Sequence, residues 1–515
     1  MNTSQSRTLV IVLVFSFIVA LLFNLPAAAQ TNAQVAKEVG PAKPDSPNWP
    51  QFRGRNCSGI AAEKANPPVE FGLEKNIKWK IALPPGHSSP SIWGDNIFVT
   101  GFDQDKKTFH TICIDRNNGT ERWRKSIQPD SVEKVHAISN PANATPATDG
   151  RRVYSYFGSY GLACYDFAGN TLWTLELPVP SSSSFGVGTS PIIVKDLVIL
   201  NRDDFKNPKL LAIDRVTGKI IWEQDQVPKS RATGWSTPVV WHNNLILHRQ
   251  DEVVGYSTID GKRQWSVAIE SSGASTPVIG DNLLYVGAWM NFGETELMVE
   301  VPDFESLLGK YDTNRDSNIS NAEFPDDLLI ARRPELGESR IGDFPAKLFF
   351  TMLDGSKDGK LDAGEWQNAR DLFKSFTKDH GLTAIKPGGK GDITATHVKW
   401  QVSKNIPEVP SPVFYKGKVY MVKNGGIATC VDAQTGEVVY RKRIGSRGSY
   451  YSSPIIAHNR VYIASNTGIV TVFQTGDKFK ILASNSLGEK IYATPAVVGN
   501  DIYVRTTEHL FAFGE

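Results

Sequence analysis

A Ser/Thr-Pro pair recurs eight times along the chain, each time at the head of an apolar strand. The copies are Ser89-Pro90, Thr145-Pro146, Ser190-Pro191, Thr237-Pro238, Thr276-Pro277, Ser411-Pro412, Ser453-Pro454 and Thr494-Pro495. Within a repeat the pattern is strand, tight turn, second strand, third strand ending in Asp, turn, and a strand centred on Trp. The clearest copy reads SPIIVKDLVIL, KLLAIDRVTGK, IIWEQ, with Asp214, Gly218 and Trp222 as landmarks. Alternating apolar residues bounded by Gly, Asn and Asp are the pattern of short antiparallel strands.

Four strands in a period of about 40 to 45 residues predict propeller blades. The Trp strand occurs at Trp79, Trp123, Trp173, Trp222, Trp265 and Trp400, and Tyr440 and Ile481 fill its slot in two further copies. Trp79 precedes the first Ser/Thr-Pro pair, and the last copy ends at Phe511-Ala-Phe without such a strand. The strand around Trp79 is therefore expected to complete the final blade, which leaves no open sheet edge. The predicted fold is an all-β, eight-bladed propeller of four-stranded antiparallel blades, with the Trp side chains as packing anchors between them.

Composition narrows what the ring can do. A net charge of +2 in 515 residues gives no basic footprint for nucleic acid. At the N-terminus Arg7 precedes the apolar run from Thr8 to Phe23, and Pro26-Ala27-Ala28-Ala29 follows, as in a secretory signal. The run falls short of the ~20 residues of a membrane span, which favours a cleaved signal over a retained anchor. The mature chain is expected to be exported, periplasmic or extracellular, monomeric and without a membrane span. Cys113, Cys164 and Cys430 occupy one repeat slot in three blades, too far apart for disulfides, and Cys57 has no evident partner.

One blade is interrupted. Thr276 and Ser411 stand 135 residues apart, against 39 to 56 between the other neighbours, so roughly 90 residues are inserted at a loop. The insert is helical in pattern and carries two twelve-residue acidic loops, DTNRDSNISNAE and DGSKDGKLDAGE. Ca2+ takes oxygen ligands from EF-hand loop positions 1, 3, 5, 7, 9 and 12. In the first loop these are Asp312, Asn314, Asp316, the Asn318 carbonyl, Ser320 and Glu323; in the second, Asp354, Ser356, Asp358, the Lys360 carbonyl, Asp362 and Glu365. Ile319 and Leu361 hold position 8, where paired EF-hand loops join. Position 6 needs a left-handed turn, free for Gly359 but costing Ser317 roughly 1 to 2 kcal/mol. The second loop also has four carboxylates to the first loop's three, so it is expected to bind Ca2+ more tightly.

The repeat, with its Ser-Pro strand, AIDxxTGKxxW and terminal Trp, resembles the PQQ-like repeats of quinoprotein-type eight-bladed propellers. Trp49-Pro-Gln-Phe-Arg-Gly resembles the lead-in to such propellers in a group of exported bacterial proteins. The resemblance implies one of two roles. The family contains dehydrogenases that use pyrroloquinoline quinone (PQQ) and non-catalytic propellers, including a periplasmic factor that helps to assemble outer-membrane proteins. The dehydrogenases carry a vicinal Cys-Cys pair over the cofactor, and many carry a C-x-x-C-H haem motif. This chain has four isolated cysteines and neither motif.

Binding is expected on the loops between each Trp strand and the next Ser/Thr-Pro pair, which gather at one mouth of the channel. They hold His87, His136, Asn143, Phe185, Arg231, Trp235, Arg447, Tyr450, Lys490 and Tyr492. Asp115, Asp166, Asp214 and Asp432 share one slot before a turn and are read as turn caps rather than catalytic carboxylates. The chain divides into a signal peptide at 1–29, an extension and linker at 30–75, propeller at 76–292, an EF-hand pair at 299–378 and propeller at 395–515. The leading functional expectation is an exported, non-catalytic, calcium-binding interaction or scaffold protein with a protein or glycan partner. The alternative is a PQQ-dependent dehydrogenase of alcohols or sugars, with the quinone held by Arg231, Trp235 and Arg447.

Overall fold

The computed structural model describes residues 47–181, 185–229, 235–290, 294, 297–333, 343–375 and 380–515. The signal peptide, the first part of the linker and Arg231 lie outside the described residues. Eight four-stranded antiparallel sheets follow one another along the unit Pro47–Glu515. The first blade contains Ser91–Trp93, Asn96–Asp103, Thr108–Asp115 and Glu121–Ile127. Blade 8 contains Ala496–Val498, Asp501–Arg505 and His509–Phe513, and its outer strand is Ile77–Ala82, with Trp79 opposite Ala512. The N-terminal strand thus closes the ring.

The recurring Ser/Thr-Pro pair is explained by a hydrogen-bonded belt at the axis. The backbone N–H of each Ser or Thr donates to the hydroxyl oxygen of its counterpart in the next blade, at 2.9 to 3.1 Å. Thr494 returns to Ser89 at 3.0 Å, so eight bonds form a closed circle. All eight residues are buried. Proline after each one lacks an N–H, so no further donor needs a partner at this crowded radius, and it biases the preceding residue toward extended backbone.

Farther out, each Trp docks on the turn of the following blade. Trp79 Nε1 donates to the Arg116 carbonyl and Trp123 Nε1 to the Phe167 carbonyl, both at 2.9 Å. Trp173 and Trp400 do the same to Arg215 and Ala433 at 3.2 Å. The glycine of each such turn lies against the indole. A Cβ at Gly119 or Gly218 would come within 2.6 Å of the ring, and both residues have φ above 70°. The slot therefore requires glycine twice over. The preceding Asp caps the turn, as at Asp214, whose Oδ1 accepts from the N–H groups of Val216 and Thr217.

Blade 5 departs from this scheme. Its strands are Val278–Gly280, Leu283–Ala288, Gly381–Ile385 and Val398–Val402, so the insertion separates the second strand from the third. Its last turn is a long loop in which Gly391–Asp392 pairs in parallel with Trp265 and Ser266 of blade 4. Trp265 is buried, with its indole against Gly255 of its own blade instead of on the Gly turn of the next one. The insert has its own core, including Leu307, Ile319, Phe324, Phe350, Leu361 and Trp366. Its helices Phe304–Tyr311, Phe350–Leu353 and Ala363–Ser375 flank the two acidic loops. Among the described residues no helix is long and apolar enough to cross a membrane.

Residues 48–61 cross the axis as a plug. Trp49 and Ile92 exchange two backbone bonds, Thr148 N–H donates to the Pro50 carbonyl, and Asn56 bonds both polar backbone groups of Val240. Gly59 and Ala61 pair with Ile456. Arg53, fully buried, donates through Nη2 to the Pro412 carbonyl at 2.7 Å. Desolvation lowers its pKa to about 10, which leaves it charged at neutral pH. Asn48 Oδ1 accepts from Gly94 in a first-to-second-strand turn, so the plug sits at that end of the ring. All four cysteines are free, buried thiols.

Two outcomes test this architecture. Thr237→Val keeps the shape but leaves the buried Ser190 N–H without an acceptor, and is expected to lower unfolding free energy by about 1 to 3 kcal/mol. Thr237→Ser should change it far less, as read by urea denaturation. The second outcome concerns His248, buried between the Ser275 carbonyl at 2.7 Å and Ser271 Oγ at 2.6 Å, where burial pulls its pKa down to about 4. The unfolded chain accepts this proton near pH 6.5 and the folded ring does not. The His248 contribution is therefore flat above pH 6.5 and falls by about 1.4 kcal/mol per pH unit toward pH 4. His248→Gln should remove that component of the slope.

Candidate functional site

Strand direction decides which loops share a face. In a blade the strands alternate, so the connection from fourth strand to next first strand and the connection from second to third strand emerge together. The Ser/Thr-Pro loops and the insert of blade 5 therefore stand at the same mouth, while the plug closes the opposite end. Between them lies an axial cavity of about 800 Å3. Seven of the eight belt residues line it, all but Thr237, and Phe52 of the plug contributes to its wall.

Aromatic rings form much of the remaining wall. His87 stacks on Tyr492 with centroids 4.3 Å apart, and Tyr451 lies 5.3 Å from Tyr492. Across the mouth, Phe185 meets Trp235 edge-on at 5.6 Å, and Trp235 Nε1 donates to the Gly186 carbonyl at 2.9 Å. His87 is held neutral, its pKa lowered to about 3 by burial first and by nearby Arg505 second. Arg505 is spent on the structure, donating to the Ser88 carbonyl and hydroxyl and to the Pro84 carbonyl.

The insert completes the wall. Arg333 and Phe344 line the cavity together with Trp289 and Glu408. Arg333 pairs with Glu408 and lies over the rings of Trp289 and Phe344, 5.3 and 5.4 Å from their centroids. These two are the sole charged side chains among the described lining residues, and they face each other. Beneath them Lys423 and Glu294 form a buried ion pair at 3.0 Å, and His380 is kept neutral by burial and by Lys423.

Of the loop residues singled out in the sequence, His87, Asn143, Phe185, Trp235 and Tyr492 come together at the cavity. Arg447 and Lys490 are exposed and stand outside its lining. Tyr450 is buried with its hydroxyl donating to the Ser446 carbonyl, and its neighbour Tyr451 takes the place at the wall. Phe52, Trp289, Arg333, Phe344 and Glu408 were not expected there. Phe52 belongs to the chain lead-in, Trp289 to the edge of the insertion and Arg333 and Phe344 to the insertion itself, so no repeat position marks them; Glu408 lies in the loop before Ser411-Pro412, one of the loops named above, and was passed over.

The two acidic loops are wound alike. Asp312 Oδ2 accepts from Ser317 N–H at 3.0 Å, and Asp354 Oδ2 from Gly359 N–H at 2.9 Å. Ser317 and Gly359 both adopt left-handed backbone, with φ of 63° and 83°. Glu323 and Glu365 reach back to loop N–H groups, Glu323 at Asn314 and Glu365 at Ser356. Hydrogen bonds from Ser320 and then Thr313 hold the Glu323 carboxyl at about 2. Ile319 and Leu361 pair antiparallel, joining the loops. Lys360 Nζ, from the second loop, donates to Asp316 Oδ2 of the first at 2.7 Å. Among the described residues one group of three potential ligands lies within 4.8 Å, Glu489, Glu508 and His509; the loop carboxylates are instead engaged by backbone N–H groups.

Comparison with known proteins places this arrangement. Residues 79–296 and 388–514 match the PQQ_2 family model, described as outer membrane protein assembly factor BamB. No curated protein sequence matches the chain. Among solved structures, a europium-containing methanol dehydrogenase is similar with a TM-score of 0.56 and 11% identity, over 94% of this chain and 99% of that one. The quinohemoprotein alcohol dehydrogenase ADHIIG from Pseudomonas putida HK5 has a TM-score of 0.53 and 12% identity, over 91% and 80%. The computationally designed Ika8 protein has a TM-score of 0.50 and 11% identity, over 84% and 98%. At these identities the likenesses establish the fold and leave its chemistry to the site. With the match spanning both halves of the ring around the insert, the chain belongs to the PQQ_2 family of propellers.

Proposed function

We propose that this protein is an exported, non-catalytic propeller that binds calcium through an inserted EF-hand pair and engages a partner at the mouth of its axial cavity. The observation that carries the reading is the chemistry of the cavity wall. Its described lining offers aromatic rings and hydroxyls, and its one cation and one carboxylate are paired with each other. Acid or base catalysis needs a group whose protonation is free to change at the reacting atom. Neither the carboxylate nor the imidazole of the described wall is such a group, since Glu408 is tied to Arg333 and His87 is held neutral. The family description, an assembly factor, agrees with a protein that acts by holding others.

The alternative is PQQ-dependent oxidation of an alcohol or sugar, and likeness to two dehydrogenases keeps it in view. PQQ is a polycarboxylate and would call for unpaired cations. Of the residues assigned to it, Trp235 lines the cavity, Arg447 does not, and Arg231 is outside the described residues. The four thiols are distributed through blades and plug, and none lines the cavity. The described wall does not suit the quinone.

For calcium the fit is better. The twelve ligand positions carry seven carboxylates, the turns at Ser317 and Gly359 have the handedness such a loop requires, and Ile319 and Leu361 pair as joined loops do. We assign the ligands as Asp312, Asn314, Asp316, the Asn318 carbonyl, Ser320 and Glu323, and Asp354, Ser356, Asp358, the Lys360 carbonyl, Asp362 and Glu365. The insert spans 299–378 on this reading, and its role is to order the segments that carry Arg333 and Phe344 to the cavity wall.

Calorimetric titration of calcium into the purified, metal-free chain should give two sites, with Asp354→Ala removing the tighter and Asp312→Ala the weaker. The reverse order would refute the ranking, and the absence of any site would refute the EF-hand assignment. Lys360 supplies a further test, because its ammonium holds one oxygen of Asp316. Lys360→Gln should tighten the first-loop site about threefold or more and leave the second nearly unchanged. PQQ titration followed by Trp fluorescence, with a dye-linked assay on alcohols and sugars, should show neither saturable quenching nor turnover. Quenching lost on Arg231→Ala would favour the dehydrogenase.

A further inference from the structure

We infer that the axial cavity is a binding site for the uncharged end of a saccharide chain. This rests on the non-catalytic reading of the cavity given above and names the ligand class of that site. The belt hydroxyls are the first reason. Each one accepts an N–H from the neighbouring blade, and among the described residues none of the eight donates its own hydrogen to another group. Seven of these residues line the cavity. The inner wall is therefore a circle of uncharged hydroxyls, each with its hydrogen and one further lone pair open to a ligand.

A ligand that fills this space has to bring acceptors. A hydrocarbon would leave the donors without partners, and buried polar groups left unpaired penalise the wrong ligand heavily. A polyanion would meet no unpaired cation among the described lining residues, because Arg333 is matched by Glu408. Acceptor-rich, neutral molecules remain.

The aromatic wall selects further. Tyr492 is fixed by stacking on neutral His87, and Trp235 by its bond to Gly186 and its contact with Phe185. Such rings are rigid platforms with little conformational freedom to lose. A pyranose presents C–H groups on its faces and hydroxyls and ring oxygen around its rim. It can lay a face on Tyr492 or Trp235 while its rim accepts from the belt. A cavity of about 800 Å3 is of the size that encloses small ligands. The plug closes the far end, so a chain terminus enters and does not thread through.

The test is an array of neutral and anionic oligosaccharides probed with the calcium-saturated full chain, followed by calorimetry on the best neutral member. Neutral oligosaccharides should bind, with affinity falling tenfold or more in Tyr492→Ala and in Trp235→Ala. Tyr492→Phe, which keeps the ring, should bind within about threefold of the original. Circular dichroism and the calcium titration report whether each variant is folded. The inference is overturned if no neutral oligosaccharide binds, if only anionic ones do, or if binding survives in both alanine variants. Quinone quenching or dye-linked turnover would overturn the non-catalytic reading as well. Absence of both, with no sugar bound, would sink this inference alone.

Discussion

The structure depends on a circle of eight hydrogen bonds around its axis. Each bond is ordinary in length, yet the circle closes only if every blade supplies both an N–H and a hydroxyl at the same radius. That requirement explains why the position tolerates Ser or Thr and why Pro follows, since an additional N–H at this radius would need its own partner. The bond from Thr276 to Ser411 spans 135 residues of sequence and is as short as the rest. The insertion is thus accommodated without opening the belt.

The belt also shapes the site. Its N–H groups are consumed in holding the blades together, and its O–H groups are what remain for a ligand. The plug complements it from below: Arg53 reaches the carbonyls of Pro412 and Pro454, immediately after two belt residues. One end of the channel is thereby sealed by residues 48–61, and the other is narrowed by Arg333 and Phe344 of the insert. A repeat ring that would otherwise be an open tube becomes a cup.

Much of this is legible in the sequence because propeller geometry repeats. The Ser/Thr-Pro pairs, the Asp-x-x-x-Gly turns of several blades and the Trp slot reveal the blades and the closure by Trp79. Blade 5 is harder to read because its third strand, Gly381–Ile385, lacks the Asp-x-x-Thr-Gly landmark. A long loop takes the place of that turn and adds a parallel strand beside Trp265. Around the cavity, His87, Phe185, Trp235 and Tyr492 were visible as loop residues. Tyr451 was passed over for Tyr450, since which of two adjacent tyrosines turns inward is a matter of a single backbone rotation. Arg447 reads as a ligand residue by composition, but its loop points it to solvent.

The sequence alone determined the all-β class, the number of blades and how the ring closes, because a period of side-chain types at fixed spacing admits few folds. It also marked the two acidic loops, since the residue types and spacing of a twelve-residue loop are written at short range. Tertiary structure decided what no local pattern encodes. It joined Phe52 to a cavity wall built hundreds of residues later, matched Arg333 with Glu408, and set the insert at the same mouth as the Ser/Thr-Pro loops. These relations follow from strand direction and ring closure, which bring residues together by their place around an axis and not by their place in the chain.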